Sequence, residues 1–403
     1  MNRRGMVYTF SLGVVVLLTI ASASLLMRGV TESNQSERQR NYTSAFHLAD
    51  AGVDQAAFNL RTPTDLTDDV TDSNTLAVPL STGRFTIDSP QQLGTFRWGV
   101  ATHGTSAQEP NLPRHIEAVF QLTPESVFQF ALFGANGLNV SGSAITDSYD
   151  SRLGAYDPNP NNHDHHGDVG TNVTTPGGVT VGGSIFIDGQ VAVGPGVNDP
   201  VSSVVTGYDP AFITGGTSPP SNTQDVVAQS STFPMPDVDP PVGLSCSDYT
   251  ITGGTQLVLD PAGGPLGNGT YCYHDLTVQG NADLLASGPV TVYLTGDLIA
   301  RGDSSVGVSS DPRLMTILMT PSAAATLEQG TITGSTKFYG ALYGPKATIT
   351  ISGNADVYGS IVAKQVNVTG SASIHYDEAM TDLTNISNLY RTSLVAWRER
   401  TDL

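Results

Sequence analysis

The sequence predicts a mainly β protein: an N-terminal transmembrane and amphipathic helix, a small antiparallel sheet, then a parallel β-solenoid (β-helix). Three observations lead there. Met6 to Met27 carries no charged side chain. Charged residues make up only 14% of the 403, against a usual ~25%. A glycine-centred repeat recurs from Gly142 to Ala372. The 39% hydrophobic residues and 43 glycines suffice to bury a core, but the surface must then consist largely of Gly, Ser, Thr and Asn. That composition excludes a helical bundle or coiled coil as the main body. Eighteen basic against 37 acidic residues give a net charge of −19, which excludes the basic patch that nucleic acid binding needs. The length fits two or three domains, divided as 1–61, 62–125, 126–380 and a C-terminal cap at 381–403.

The first element is the apolar run. As a helix, Met6 to Met27 would extend about 33 Å, enough to cross a hydrocarbon core of about 30 Å. Arg3 and Arg4 precede it and Arg28, Arg38 and Arg40 follow, so basic residues flank both ends and leave orientation open. Ala21-Ser22-Ala23 also has the small-x-small form of a signal peptidase site, so a cleaved peptide ending at Ala23 stands beside the anchor reading. Beyond the run, Phe46, Ala49, Val53, Ala56, Ala57 and Leu60 recur at helical spacing. One helix is therefore expected to continue to about Arg61, where Pro63 ends it.

Arg4-Gly5-Met6, the long apolar run and Ala45-Phe46-His47-Leu48-Ala49-Asp50-Ala51-Gly52-Val53-Asp54 together resemble the N-terminal module of PilX-like type IV pilus minor pilins. The resemblance covers about 60 residues. It implies that a prepilin peptidase cuts after Gly5 and leaves Met6 as the mature N-terminus. Where major pilins carry a Glu that pairs with a neighbour's terminal amine, this chain has Phe10. A carboxylate in a bilayer costs about 2.5–3.5 kcal/mol, so it is kept only for use. Its absence points to a minor or tip subunit, or a plain anchor, rather than a repeating filament subunit.

Residues 62–80 are Thr- and Asp-rich and read as a solvated connector. Alternating segments near Gly83–Asp88, Thr95–Thr102 and His115–Leu122 read as strands of a small antiparallel sheet, the nearest surface for the amphipathic half of the helix. From about Ser126, a Gly with a small residue two positions later recurs at Gly142, Gly280, Gly302, Gly334, Gly353 and Gly370. Two residues before each stands Val140, Val278, Ala300, Ile332, Ile351 or Val368; four after stand Leu284, Val306, Phe338, Val357 and Ile374, with only the first copy out of register. Alternation turns these side chains inward and glycine supplies the bend, so each repeat reads as one solenoid coil. The long gap from Gly302 to Gly334 implies an extra coil or an excursion around Ser309–Ala325. Phe233 to Pro241 reads as a stiff proline-rich connector, and Asn388 to Glu399 as a capping helix or final strand. Phe130 to Tyr376 also resembles the β-helical region found downstream of PilX-type anchors, through Phe338-Tyr339-Gly340-Ala341 and Val357-Tyr358-Gly359-Ser360. A weaker likeness is to bactofilins, which lack such an anchor.

Few residues carry chemistry. His163, His165, His166 and Asp168 form one dense set of donors suited to Zn, Ni or Cu, with a solvated polar loop as the alternative. Cys246 and Cys272 are the only cysteines, and in an exported chain two thiols usually pair. Arg301-Gly302-Asp303 spells an integrin-binding tripeptide, but it sits where the repeat already bends. Lys337, Lys346 and Lys364 occupy different repeat positions without clustered carboxylates, which disfavours a polysaccharide lyase, and no nucleophile elbow, P-loop or dinucleotide fingerprint is present.

The expected function is therefore that of a non-enzymatic, cofactor-free structural protein of a bacterial surface. By resemblance it is a PilX-like minor pilin or pseudopilin held in the inner membrane, with its body periplasmic or extracellular. Its partners would be subunits of a type IV pilus or type II secretion machine, with no nucleic acid. The alternative is an independent surface module that binds, or less readily cleaves, a glycan.

Overall fold

The computed structural model describes residues 3–61, 78–80, 82–88, 90–94, 96–158, 161–215, 225–320, 329–384 and 389–400. The chain forms two compact units, Met1–Thr123 with Tyr390–Leu403, and Pro124–Leu389. Most of the expected connector, 62–77, lies outside the described residues.

In the first unit Arg3–Asn59 is a single helix that changes character along its length. Residues 11–40 are exposed throughout, including Leu12, Val15, Leu17, Leu18, Leu25 and Leu26. From Ala45 onward one face is covered: Ala45, Leu48, Ala49, Val53, Ala56 and Leu60 are each at most 5% exposed. They pack on Phe85, Ile87, Trp98, Val100, Ile116, Ala118, Phe120 and Leu122. Those side chains alternate along Gly83–Ile87, Arg97–Ser106 and Arg114–Pro124, which pair antiparallel. Val78–Leu80 extends one edge of this sheet and Tyr390–Arg400 the other.

Helix and sheet touch through small residues. A Cβ on Gly104 would stand 1.9 Å from the Ala45 carbonyl oxygen, and one on Gly52 would stand 3.1 Å from Thr102 Cβ. The Thr102 hydroxyl donates to the Ala49 carbonyl at 2.8 Å. Each large apolar side chain buried here contributes about 1.5–3 kcal/mol. The sheet thus holds the second half of the helix, while among the described residues nothing covers the first.

The second unit corrects the predicted solenoid. That expectation stacks each coil on its neighbour in sequence from 126 to 380. Instead the body is a closed barrel of parallel strands. Thr270–Gly280 pairs with Val290–Leu294, that strand with Met315–Met319, and that with Lys337–Ile351. Lys337–Ile351 also pairs with Gln329–Gly334, that with Leu298–Gly302, and that with Thr270–Gly280 again. These six strands close a ring, and every pairing in it is parallel.

Further parallel strands extend the ring, and their order in space departs from their order in sequence. Asp356–Val368 pairs with Leu132–Gly134 and Leu138–Gly142, and Ser373–Asp377 with Ile145–Tyr149, so the last strands of the body lie on its first. Val179–Gly183 continues from Leu138–Gly142 in the other direction, followed by Val205–Thr206. The chain then returns through the proline-rich segment, which is fastened to the wall. Asn172 exchanges hydrogen bonds with the Phe233 backbone at 2.7 and 2.8 Å, and the Tyr343 hydroxyl donates to the Pro236 carbonyl at 2.6 Å. Strand formation resumes at Ser247–Thr252, which pairs with Thr270–Gly280.

The glycine repeat has its physical origin in this stacking. Gly280, Gly302, Gly334, Gly353, Gly370, Gly142 and Gly183 all have φ between 75° and 89° and lie on one another. A Cβ on Gly353 would meet the Gly334 carbonyl oxygen at 2.9 Å, and one on Gly183 the Gly142 carbonyl oxygen at 2.3 Å. The flanking apolar positions, Val140, Val278, Ile332, Ile351 and Val368 before the bend and Leu284, Phe338, Val357 and Ile374 after it, are fully buried. The first copy, out of register in hydropathy, places Thr146 there; it too is buried, and its hydroxyl donates to the Gly167 carbonyl at 2.9 Å. Gly302 pairs directly with Gly334, so the long gap holds one excursion, of which Pro312–Leu314 is a 3-10 turn and 321–328 lie outside the described residues.

The expected cap at 381–403 also needs correction. Glu378–Asp382 is a short 3-10 turn, and Tyr390–Arg400 is a strand of the antiparallel sheet in the first unit. Its Ser393 hydroxyl donates to the Gln121 carbonyl, and its Arg398 pairs with Glu117.

Gly353→Ala should lower stability by about 1–3 kcal/mol, the usual cost of a side chain held in a left-handed conformation. Gly182→Ala, where nothing lies within 4 Å of the new Cβ, should be near neutral. Denaturant midpoints of the two variants check this.

Candidate functional sites

Gly5 and Met6 lie inside the helix Arg3–Asn59, at the start of the apolar run. An 18-residue window of this helix reaches mean hydropathy 1.9 with none of it buried in the protein. The chain therefore carries one N-terminal helix long and apolar enough to be a membrane anchor or a signal. Cys246 and Cys272 form a disulfide. It ties the chain just before Ser247–Thr252 to Thr270–Gly280, strands that also pair with each other.

The four residues singled out as metal ligands do not converge. They lie on a loop that leaves strand Ile145–Tyr149 and folds back on it, with Ser148 and Asp164 exchanging backbone hydrogen bonds at 2.8 and 3.1 Å. His163 Nε2 lies 3.4 Å from Asp147 Oδ2, His165 Nδ1 lies 2.6 Å from Asp188 Oδ2, and His166 Nδ1 lies 2.9 Å from Glu378 Oε1. Each imidazole has its own carboxylate. Asp168 turns elsewhere: its Oδ1 accepts the Gln190 backbone N–H at 2.6 Å, and burial raises its pKa above the usual carboxylate range despite that bond.

One of these partners, Asp147, belongs to a column on one face of the barrel. Tyr339 pairs in register with Tyr358, Tyr358 with His375, and His375 with Asp147. The rings stack in turn, Tyr339 on Tyr358 at 4.7 Å and Tyr358 on His375 at 4.8 Å between centroids. Tyr156 from the loop covers His375 at 3.8 Å and donates its hydroxyl to Asp147 Oδ2 at 2.7 Å. His375 and Asp147 are 5% and 6% exposed and joined at 2.5 Å, Nδ1 to Oδ1. Burial first, and then the bond to Asp147, push the Tyr156 pKa upward, so its proton stays on the phenol. This hydrogen-bonded core fastens the loop to the barrel. Below it, Asp377 is fully buried and accepts the Ser151 and Ala379 backbone N–H groups at 2.9 and 3.1 Å; burial raises its pKa.

Sequence reading missed Asp147, Asp188, His375, Tyr156 and Glu378. The signal for three of them was present. Asp147, His375, Tyr358 and Tyr339 each stand five residues after a repeat glycine, as Asp188 does after Gly183. Aligning the copies shows the column, but joining its two halves requires knowing that Gly370 lies on Gly142.

His166 is the exposed member of the set. Burial works against its charged form, but the hydrogen bond it donates to Glu378 and the charges of Glu378, Asp164 and Asp168 outweigh it and raise its pKa.

A domain of unknown function (DUF7305) matches residues 250–383, which begins within Ser247–Thr252 and ends just after the Glu378–Asp382 turn. No curated protein matches. Solved structures with some likeness include an ice binding protein from an Antarctic Biological Consortium, at 14% identity and TM-score 0.33, over 63% of this chain and 91% of that one. The competence-associated pilin ComZ from Thermus thermophilus matches at 13% identity and TM-score 0.26, over 89% of this chain and 97% of that one. The DUF3494 domain of a Shewanella frigidimarina ice-binding protein matches at 15% identity and TM-score 0.25, over 64% and 98%.

Removing His375 takes the 2.5 Å partner from buried Asp147, leaving it Tyr156 and His163, and opens space beneath the Tyr156 ring; losing a buried hydrogen bond alone costs about 1–3 kcal/mol. His375→Ala should therefore be strongly destabilising, whereas His163→Ala, on the half-exposed side of Asp147, should cost far less. Thermal unfolding of both variants checks the ranking.

Proposed function

We propose that this protein is a non-enzymatic structural component of the bacterial surface, anchored in the inner membrane by its N-terminal helix and built into a pilus-like assembly in the manner of PilX-type minor pilins. The observation that carries the proposal is the division of the helix Arg3–Asn59. Its second half is held by an antiparallel sheet, and residues 11–40 extend beyond that support fully exposed. Its uncharged stretch, which ends at Met27, has no cover among the described residues of its own chain and would be satisfied by lipid or by the apolar helices of other subunits.

The Ala49-Asp50-Ala51-Gly52 block that carries the family resemblance also has a role here. Ala49 lies under Gly104, where helix and sheet meet most closely, and Gly52 faces Thr102 and Phe85, so small residues are needed at those positions. On this proposal a prepilin peptidase cuts after Gly5, the exposed half docks with pilus or secretion-machine subunits, and the barrel is displayed in the periplasm or outside the cell.

A second reading, an independent glycan-binding surface module, is favoured by one observation. Outward positions along the barrel form a column of uncharged polar side chains, Thr331, Thr350, Asn367, Asn139 and Thr180, spaced as adjacent strands are at about 4.7–4.9 Å. Such a face offers repeated hydroxyl and amide groups in an otherwise acidic protein.

Mass spectrometry of the protein from native membranes separates the two. A mature chain starting at Met6 is the expected result and supports the pilin-like reading. A chain starting at Ser24 makes the apolar run a signal peptide, overturns the anchor, and favours the secreted binding module.

A further inference from the structure

The pairing of His166 with Glu378 brings together residues 212 positions apart, and a third donor stands beside them. His166 Nδ1 is 2.9 Å from Glu378 Oε1 and 3.9 Å from Asp164 Oδ2. One ligand atom from each of Asp164, His166 and Glu378 lies within 4.8 Å of the other two. Tetrahedral zinc about 2.0–2.2 Å from each ligand holds them about 3.3–3.5 Å apart, between the two distances observed.

The three groups are positioned from behind. Asp164 is fixed by its backbone exchange with Ser148, and the His165 N–H bonds its Oδ1 at 2.8 Å, leaving Oδ2 toward His166. The Ser148 hydroxyl accepts the His166 N–H at 3.0 Å and donates to Glu378 Oε1 at 2.9 Å. The carboxylates beside the His166 ring are those of Glu378 and Asp164. One imidazole facing two carboxylates leaves an excess of negative charge that a divalent cation would neutralise.

We propose that Asp164, His166 and Glu378 form a zinc site that clips the His-rich loop to the turn following the barrel's last strand. Imidazole with carboxylates suits zinc better than magnesium or calcium. Three protein ligands leave a fourth position for water or a side chain from another molecule. The site differs from the sequence-level set, because His163, His165 and Asp168 are engaged elsewhere and Glu378 replaces them. It does not depend on how the N-terminal helix is used.

The test is calorimetric titration of the full-length protein in detergent, with any affinity tag removed, using zinc sulfate and then magnesium and calcium chloride. One zinc per chain is expected, with a rise in unfolding temperature. His166→Ala and Glu378→Gln should each weaken binding tenfold or more, and Glu378→Gln, half-buried and isosteric, should still fold. His274→Ala removes the imidazole of the other exposed group, Asp248, His274 and Asp275, and should leave the titration unchanged. Zinc binding that survives both His166→Ala and Glu378→Gln, or that is lost in His274→Ala, overturns the proposal. So does the absence of zinc binding, which makes His166 and Glu378 an ion pair only, or equal affinity for calcium.

Discussion

The parallel pairing of Val366–Val368 with Leu138–Val140 is the contact on which the second unit depends. Without it the body would be two separate stacks, each ending in an edge of unpaired backbone groups, and such edges invite pairing with other chains. With it the first and last strands complete each other. One hydrophobic core then runs from Val127 to Leu389. The remaining architecture follows from that contact. The chain starts in the middle of the barrel, builds outward in one direction, and must return along the wall to build from the far end. The proline-rich segment serves that return because it is already extended and loses little freedom on ordering, and Asn172 and Tyr343 hold it at two points.

The same junction creates the polar core under the loop. Asp147 comes from the first full strand pair and His375 from the last, so their 2.5 Å contact exists only because those strands are neighbours. Glu378 reaches His166 for the same reason. The loop is thereby secured to both ends of the body's sequence at once, and chemistry-bearing residues far apart in the chain meet on one face.

What was legible in the sequence was local. Helical spacing located the face from Ala49 to Leu60, and alternation located the strands around Phe85, Val100 and Ile116, because burial on one side writes its period directly into the chain. The glycine bends and their inward apolar neighbours were equally visible. Stacking order was not: Gly142 and Gly370 carry the same motif as Gly353, and nothing in a repeat states which copy lies on which. The solenoid expectation took the simplest order, and Tyr390–Arg400 was assigned to the nearer body when it belongs to the sheet of the first unit. The His-rich loop was found by density of donors, but its carboxylate partners lie on or next to other strands and depend on that same unknown order.

Function rests on the contrast between the two halves of the helix. The second half is covered by the sheet; in the exposed half only the stretch up to Met27 is uncharged and apolar, and 28–40 carries Arg28, Glu32, Glu37, Arg38 and Arg40. With net charge −19, the rest of the protein is suited to water. These properties fit an N-terminal helix that is a membrane anchor or a signal.

The central claim about the fold is that the first strands lie on the last. Asn139 and Asn367 are register partners that face outward, and the native cysteines are held in their disulfide. The double variant Asn139→Cys with Asn367→Cys, treated with a short bis-maleimide, should cross-link within one chain in high yield. Asn139→Cys with Thr250→Cys, placed on a strand at the far end of the same column, should not. Failure of the first pair to cross-link, or efficient linking of the second, would contradict the closed barrel and favour strands stacked in chain order.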